Sequence, residues 1–424
     1  MPGASVFRGA GGGTPRWVRL GATAVAAVVV AEAAAWVLRP RDVVEPVEVD
    51  ESAYFSEAEV ERAEDYRSGQ RLLFVGGLAA EGALLVLLIT GRPAPARRAL
   101  ERAAERPVLG GAAAAAGLFG ALAVVSLPFD VAGHERAVDV GLSTQDLGPW
   151  IEDWVKANGI NALIAAGVGT GLLALIRRWP RRWWIPASAG LVGLAAVFTW
   201  LAPVVLAPAF NDFEKLPPGQ ARSDVLELGE RADVEIGEVY SVDASRRSTA
   251  LNAYVGGLGP TKRVVLYDNL LEQADRGERN SVVAHELGHV DGRDIPRGIL
   301  FVAIAAPLGL LFAAGLSEAL GRRSGAEPGQ PASLPALAVA LSVTSFAIGV
   351  VGNQLSRAVE ARADTYALEL TDDPESLIGL QTRLARTNIS DPDPPDAVSF
   401  LLGSHPTALE RIGAAKAWQE GERP

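Results

Sequence analysis

Three residues in the segment SVVAHELGHVDGRD, residues 281–294, have the types and spacing of a catalytic metal site. The chain contains only four histidines, and two of them, His285 and His289, lie four residues apart with Glu286 directly after the first. Side chains four residues apart project from one face of a helix, so the two imidazoles can bind one ion. Glu286 falls on a neighbouring face, where a carboxylate can accept a proton from a water without being a ligand. The segment therefore predicts metal-assisted hydrolysis.

The helix that presents these residues is predicted to begin at residue 282. Asn280 or Ser281 can cap it, because a side-chain oxygen before a helix accepts hydrogen bonds from its first free N–H groups. Gly288 lacks a side chain, which leaves room for substrate or for another backbone. The alternative is a surface helix with two solvated histidines. The apolar run VVAHELGHV around the motif disfavours it.

A catalytic zinc needs a third protein ligand and one open position for water. The chain has no cysteine, so that ligand must be His, Asp or Glu. His134 lies in an acidic stretch between apolar segments and is interpreted as a solvated loop residue. Glu360 and Asp364 in SRAVEARAD are one helical turn apart, so Glu360 can be the third ligand and Asp364 can orient a ligand imidazole through its distal N–H. On spacing alone this assignment is weak, since such pairs are common on solvated helix faces.

The rest of the chain has the composition of a membrane protein. Hydrophobic residues make up 49% of the 424 residues, and the mean hydropathy is positive. A bilayer core about 30 Å thick needs roughly 20 apolar residues in a helix. Seven segments meet this requirement, namely residues 18–38, 72–90, 108–128, 159–176, 184–208, 298–317 and 333–352. Glu32 and Glu81 lie within two of them, which indicates either a water-filled interior or carboxylates that are protonated or close to helix ends.

The predicted fold is mainly α, a polytopic membrane bundle of about seven spans with a small α+β metallopeptidase insert that carries the HELGH helix. In the insert, EVYSVDA and KRVVLY have strand-like composition, and PPGQARSDVLELGERADV has helical spacing. LNAYVGGLGP can pair with KRVVLY through its Gly/Pro turn. We divide the chain into a membrane region with five spans, this insert, two further spans and a C-terminal helical part, at residues 1–209, 210–297, 298–352 and 353–424.

Charge and cysteine content exclude several other classes. The net charge of −11 argues against nucleic acid as a partner, because phosphate binding needs a clustered basic face. Without cysteine the chain has neither disulfides nor a cysteine nucleophile. A lipid bilayer and a peptide or membrane-protein substrate are therefore the expected partners, and the sequence does not define the oligomeric state.

Several motifs together carry a family resemblance. AHELGHVDGRD, NQLSRAVEARAD and SHPTALERI, in this order and with two spans between the first two, resemble the integral-membrane zinc metallopeptidases of the type I CAAX prenyl endopeptidase family. SVDASRRSTALNAYVGGLGPTKRVVLYDNLL is similar to the segment before that family's zinc helix, and the five preceding spans agree in number. The resemblance implies one Zn²⁺ per chain, bound by His285, His289 and Glu360, with Glu286 as the general base.

The resemblance also assigns substrate-site residues. It implies that Asn252 and Ala253 lie on a strand edge that pairs with the substrate backbone, and that His405 and Arg411 line the site near the scissile bond. The residues alone favour a turn asparagine, a loop histidine before proline and a solvated arginine. Either His405 or Arg411 can stabilise the oxyanion of the tetrahedral intermediate, and the sequence does not choose between them.

The predicted function is therefore a membrane-embedded zinc endopeptidase in membrane-protein quality control or processing. CAAX-type processing of lipidated peptides stays open, although nothing in the sequence encodes a prenyl pocket. A transporter or receptor with a structural metal site is another alternative. An inactive peptide-binding scaffold is disfavoured, because the expected catalytic residues are all present.

The basic loops and the resemblance predict opposite orientations. The loops RPAPARRALERAAERP and RRWPRRWW, and the loop with Arg322 and Arg323, all lie on the side opposite the zinc-binding part. Cytoplasmic loops carry excess Lys and Arg. We therefore expect the protein to lie in the cell membrane with the residues before the first span on the cytoplasmic side and the zinc site facing out of the cytoplasm. The resemblance implies a cytosolic site.

Overall fold

The structure is a computed structural model that describes residues 15–91, 93–257 and 262–424. Within these residues, seven helices are long and apolar enough to cross a membrane. Five of them precede the sheet: α1 (Arg16–Leu38), α2 (Glu57–Thr90), α4 (Leu109–Asp139), α5 (Leu147–Arg178) and α6 (Trp184–Leu201), with the short α3 (Ala94–Ala104) between α2 and α4. The number and positions of the predicted spans are confirmed.

The helices extend beyond the apolar segments that predicted them. The predicted span at residues 72–90 is the second half of α2, whose polar first half begins at a capping box between Ser56 and Glu59. The last span continues in the same way, because the polar segment after it is part of one helix of 38 residues. The polar ends of these two helices therefore extend from the membrane spans into the domain that holds the candidate site.

The helices that follow α6 belong to this domain or connect it to the membrane. Two further spans, α10 (Asp294–Ser324) and α11 (Leu334–Thr371), lie among them. These helices are α7 (Gln220–Arg231), α8 (Asp268–Gln273), α9 (Arg276–Asp291), α10 (Asp294–Ser324), α11 (Leu334–Thr371), α12 (Pro374–Thr387), α13 (Asp396–Leu402) and α14 (Ala408–Gln419).

A four-stranded sheet accompanies these helices, with strand order β1-β2-β4-β3. The strands are β1 (Phe213–Lys215), β2 (Glu238–Val242), β3 (Ala253–Gly256) and β4 (Arg263–Tyr267). β2 and β4 are parallel, whereas β1 and β3 are antiparallel to their neighbours. The predicted pairing of the LNAYVGGLGP segment with KRVVLY is confirmed. Residues 258–260 of its Gly/Pro turn lie outside the described residues.

The core of this domain connects the sheet to the helices that carry the motif. Buried side chains of β4, α9 and the last turns of α11 form one apolar cluster, in which Val264, Leu287 and Leu368 are fully buried. Burial of such side chains stabilises a domain by about 1.5–3 kcal/mol each. The cluster therefore holds α9 in a fixed position against both the sheet and the last membrane helix.

The helix α9 begins earlier than the sequence predicts. It starts at Arg276, and Asp275 accepts from the N–H of Glu278 while the Glu278 carboxylate accepts from the N–H of Asp275. The expected start at residue 282 was therefore wrong. The polar segment DRGERNS forms a full capping box and first turns, and our assignment followed only the apolar run.

His134 is not a solvated loop residue, and that prediction was wrong. α4 continues to Asp139, so His134 lies in a helix, where it is buried and stacks on Trp150 with ring centroids 4.7 Å apart. The acidic stretch that indicated a loop is the polar end of a membrane helix.

Both carboxylates in the apolar spans contact polar groups of other helices. Gln354 Nε2 donates to Glu32 Oε1 at 3.1 Å, and Ser126 Oγ donates to Glu81 Oε1 at 2.6 Å. Glu81 also lines a cavity of 650 Å³ between α2, α4 and α5. Glu81 therefore borders an open space between membrane helices.

Candidate metal centre

The candidate site lies where α9 crosses α11. A Cβ atom on Gly288 would lie 3.1 Å from the Ala363 Cα and 3.1 Å from the Tyr366 Cβ. Such distances are shorter than ordinary van der Waals contact, so glycine permits this close crossing. Another backbone, that of α11, therefore occupies the space beside Gly288.

Three side chains from the two helices bring their donor atoms together at this crossing. The distances are 3.2 Å between the Nε2 atoms of His285 and His289, 3.3 Å from His285 Nε2 to Glu360 Oε2, and 3.7 Å from His289 Nε2 to Glu360 Oε1. Tetrahedral zinc with bonds of about 2.1 Å separates its ligand atoms by roughly 3.4 Å. The three residues therefore fit one metal ion, and they are the three predicted as ligands.

The hydrogen bonds at the Nδ1 atoms of the two imidazoles also suit their Nε2 atoms to bind a cation. His285 Nδ1 lies 2.8 Å from Asp364 Oδ1, and His289 Nδ1 lies 2.9 Å from Asp294 Oδ2. Each carboxylate favours the tautomer with its proton on Nδ1, which leaves a lone pair on Nε2. The two Nε2 atoms lie 3.2 Å apart, so a cation between them, either a metal ion or a proton, can be bound by both.

Asp364 is part of a buried arrangement that we call the inner relay, defined as His285, Asp364 and Arg411. Arg411 lies on α14 and donates two hydrogen bonds to Asp364, one of them from Nε to Oδ2 at 2.7 Å. Burial lowers the pKa of His285, but the hydrogen bond and negative charge of Asp364 outweigh it and raise this pKa to about 9. The inner relay therefore favours positive charge at the metal position.

A second arrangement, the outer relay, consists of His289, Asp294 and Arg297. α9 ends at Asp291, and Arg293 adopts a left-handed conformation with φ of 52° before α10 begins at Asp294. This sharp change of chain direction brings the carboxylate of Asp294 next to the imidazole of His289. Arg297, one turn further along α10, donates to the second oxygen of Asp294.

The carboxylate of Glu286 lies beside β3. It accepts a hydrogen bond from the backbone N–H of Val255, and burial raises the pKa of its carboxyl group. A carboxylate with raised pKa is a stronger base than an exposed one. Its position beside the donor atoms, together with this basicity, suits it to accept a proton from a water.

The strand β3 presents one free edge in the described part of the sheet. Tyr267 N–H donates to the Asn252 carbonyl at 3.1 Å, and Tyr254 pairs with Val265. Backbone groups alternate in direction along an antiparallel strand, so Ala253 and Val255 direct theirs away from β4. Ala253 N–H is occupied by the Asn252 side chain at 2.8 Å. The carbonyl oxygens of the free edge can accept hydrogen bonds from an extended peptide.

His405 lies at the entrance of the site, whereas Arg411 lies behind it. His405 Nε2 is 3.5 Å from Glu360 Oε1, and 59% of its side chain is exposed. The exposed fraction of the Arg411 side chain is 13%, and both of its hydrogen bonds to Asp364 point away from solvent.

Two contacts of the site were missed by the sequence analysis. Asp294 stands in the quoted motif HVDGRD, but its contact with His289 depends on the left-handed residue between two helices. The Val255 N–H that holds Glu286 is a backbone group. The first has a weak sequence signal, an Asp soon after Gly292, and the second has none.

A bundle of seven membrane helices, together with a His/His/Glu site that α9 and the polar end of α11 form beside a further glutamate, defines a membrane-embedded metallopeptidase. Comparisons with known proteins agree with this class. Residues 217–419 match the model of peptidase family M48, and residues 44–212 match the model described as CAAX prenyl protease N-terminal, five membrane helices.

Individual relatives cover most of the chain. The uncharacterized metalloprotease YhfN of Bacillus subtilis is 31% identical over 383 residues, which are 88% of this chain and 89% of that protein. The CAAX prenyl protease 1 homolog of Arabidopsis thaliana is 28% identical over 65% of each chain. The fold resembles the crystal structure of S. mikatae Ste24p, with a TM-score of 0.75 and 19% identity over 95% of this chain and 99% of that chain.

The chain belongs to peptidase family M48. The predicted family, the membrane helical bundle and the class of metalloendopeptidase are thereby confirmed. The family implies a metal, and the group formed by His285, His289 and Glu360 can hold it.

Proposed function

We propose that this protein binds one zinc ion through His285, His289 and Glu360 and hydrolyses peptide bonds of membrane-protein substrates. The observation that carries the proposal is the convergence of two imidazole Nε2 atoms and one carboxylate, with each Nδ1 held by an aspartate. Nitrogen and oxygen ligands without cysteine, together with room for a fourth position, are typical of catalytic zinc.

A zinc ion bound by these residues supplies Lewis-acid chemistry, which polarises the scissile carbonyl and makes a water more acidic. The protein supplies the proton transfers. Glu286 accepts the proton of the attacking water and later donates it to the leaving amine. Its hydrogen bond to the Val255 N–H fixes the carboxylate beside the strand on which substrate is proposed to lie.

The substrate is proposed to bind in an extended conformation along β3. Carbonyl oxygens at the free edge, including that of Ala253, accept hydrogen bonds from the substrate backbone, so binding depends little on sequence. Asn252 holds the Ala253 N–H and thereby shapes this edge. Replacement of Asn252 is expected to weaken substrate binding while the metal content stays unchanged.

His405 is proposed as the donor to the oxyanion of the tetrahedral intermediate, because it is exposed beside Glu360. Arg411 is proposed as a positioning residue that acts through Asp364, since both of its hydrogen bonds to that carboxylate are directed behind His285. His405→Ala should therefore lower kcat with little change in zinc content, whereas replacement of Arg411 should alter zinc binding as well.

Membrane-protein quality control is the proposed role, because a strand edge that recognises backbone suits many unfolded sequences. The name of the Arabidopsis thaliana relative supports CAAX processing as a second candidate. Matched peptides with and without a prenyl group separate the two. Quality control predicts equal kcat/KM for both peptides, and CAAX processing predicts cleavage of the prenylated peptide alone.

The central experiment measures cleavage of an unfolded model protein by the full-length enzyme in detergent. Glu286→Gln should keep its zinc and lose about three orders of magnitude in turnover, because the amide cannot accept the proton. The matched control is Glu272→Gln, which alters an exposed glutamate of α8. A chelator should abolish activity, and zinc should restore it. Cleavage by Glu286→Gln at the wild-type rate would exclude this residue as the base.

The zinc site is proposed to face out of the cytoplasm of the cell. The arginine-rich loops at the opposite ends of the spans support this orientation through the excess of Lys and Arg in cytoplasmic loops. A reporter that is active only outside the cytoplasm, fused after Pro424, should be active. A silent fusion that is expressed normally would favour the cytosolic orientation that the family resemblance implies.

A further inference from the structure

A basic cavity lies at the ends of the membrane helices opposite the metal centre. It has a volume of 870 Å³ and lies between the first turns of α1, the turn from α5 to α6 and the last turns of α10. Four arginines and one glutamate line it, so its lining carries a net positive charge of three. These residues are Arg16, Arg19, Arg181, Arg322 and Glu318.

Three of these arginines have charges that no carboxylate neutralises in the described part of the chain. Arg322 forms an ion pair of 3.2 Å with Glu318. Among residues 15–91, 93–257 and 262–424, the side chains of Arg16, Arg19 and Arg181 form neither a hydrogen bond nor an ion pair. By contrast, Arg177 nearby donates to the Gly329 carbonyl at 3.0 Å and holds a loop in place. The unpaired arginines are thus available to an anion.

Tryptophans place this cavity at the level of the lipid headgroups. Trp17, Trp183 and Trp184 line the same space. Tryptophan is enriched at the membrane–water interface, and arginine binds phosphate oxygens with two parallel hydrogen bonds. Basic pockets between membrane helices are a recurring form of anionic-lipid site.

We propose that this cavity binds the phosphate group of an anionic phospholipid, with Arg16, Arg19 and Arg181 as its ligands. The acyl chains of such a lipid would lie along the apolar surfaces of α1 and α10 below the cavity. The first fourteen residues do not offer an alternative partner of matching charge, because they contain one arginine and no acidic residue.

The test uses the full-length protein in detergent and counts bound lipids by native mass spectrometry during titration with phosphatidylglycerol or phosphatidylcholine. The test variant is Arg16→Gln/Arg19→Gln/Arg181→Gln. The matched control is Arg97→Gln/Arg98→Gln/Arg102→Gln, which removes three arginines of α3 that do not line the cavity. Zinc content and cleavage of the unfolded model protein verify that both variants are folded.

The wild type and the α3 control should bind phosphatidylglycerol in preference to phosphatidylcholine. The cavity variant should lose about fivefold in phosphatidylglycerol affinity for each arginine removed. Equal phosphatidylglycerol binding by all three proteins, or equal binding of both lipids by the wild type, would overturn the proposal. A third titration uses inorganic phosphate. If phosphate displaces phosphatidylglycerol at equal concentration, the site binds a free anion and the lipid assignment is overturned.

Discussion

The inner and outer relays contain the same three residue types but differ in burial and in origin. In the inner relay, the exposed fractions of the His285, Asp364 and Arg411 side chains are 9%, 3% and 13%. In the outer relay, those of His289, Asp294 and Arg297 are 25%, 15% and 22%. The inner relay joins α9, α11 and α14, whereas the outer relay joins only the end of α9 to the start of α10.

The difference in burial predicts different roles for the two relays. An ion pair removed from water strongly destabilises a protein when one partner is lost, because the other charge stays buried. Loss of one partner of an ion pair closer to solvent destabilises a protein much less. The inner relay should therefore stabilise the fold and orient its histidine, whereas the outer relay should mainly orient its histidine. The following variants test this division.

Asp364→Asn should have the largest effect. The substitution leaves the guanidinium charge of Arg411 buried without the carboxylate that neutralises it. His285 also loses the carboxylate that orients its imidazole. The expected loss is about 4 kcal/mol in the free energy of unfolding and about 10–100-fold in zinc affinity. Denaturant titration and competition with a zinc chelator measure the two quantities. A stability within 1 kcal/mol of wild type would show that the inner relay does not stabilise the fold.

Arg411→Gln should have the next largest effect. Asp364 keeps its contact with His285 but loses both hydrogen bonds from the guanidinium, so about 3 kcal/mol of stability should be lost. Arg411→Lys should recover only part of it, because an ammonium group does not form the paired hydrogen bonds of a guanidinium. Full recovery by lysine in the same titration would mean that charge alone matters at this position.

Asp294→Asn should separate metal binding from stability. The outer relay lies closer to solvent, so the free energy of unfolding should fall by less than about 1 kcal/mol. Zinc affinity should still fall about tenfold, because His289 loses the carboxylate that fixes its tautomer. A loss of stability as large as that of Asp364→Asn would remove the distinction between the relays.

Arg297→Gln should have the smallest effect. Arg297 contacts Asp294 within one helical turn, and pairs of this kind contribute about 0.3–0.5 kcal/mol. Zinc affinity and cleavage rate should stay within about threefold of wild type. A tenfold loss of zinc affinity in the chelator competition would show that the arginine helps to hold Asp294 against His289.

The two relays also differ in how far the sequence predicts them. The contact of Asp364 with a ligand histidine was expected, because its spacing from Glu360 gives both residues one helix face that turns toward α9. The partner of His289 was not expected. Asp294 reaches it only because Arg293 adopts a left-handed conformation, which no periodicity predicts.

Elsewhere, the sequence predicted which segments are helices better than where they begin and end. The seven spans follow from apolar length alone, so their positions were predictable. The polar helical ends were not, because capping boxes at Ser56 and Asp275 extend helices through charged residues. His134 was misassigned for the same reason, since acidic residues near it continue α4 rather than end it.

The central claim is that one zinc ion is held by residues of α9 and α11, and its most direct test is the metal content of Glu360→Ala. Glu369→Ala, also on α11, is the matched control, because Glu369 is remote from the donor atoms and pairs with Arg362 at 3.1 Å. Elemental analysis of the purified full-length proteins should find about one zinc per chain in the wild type and the control. It should find almost none in Glu360→Ala, and a full complement of zinc in that variant would contradict the claim.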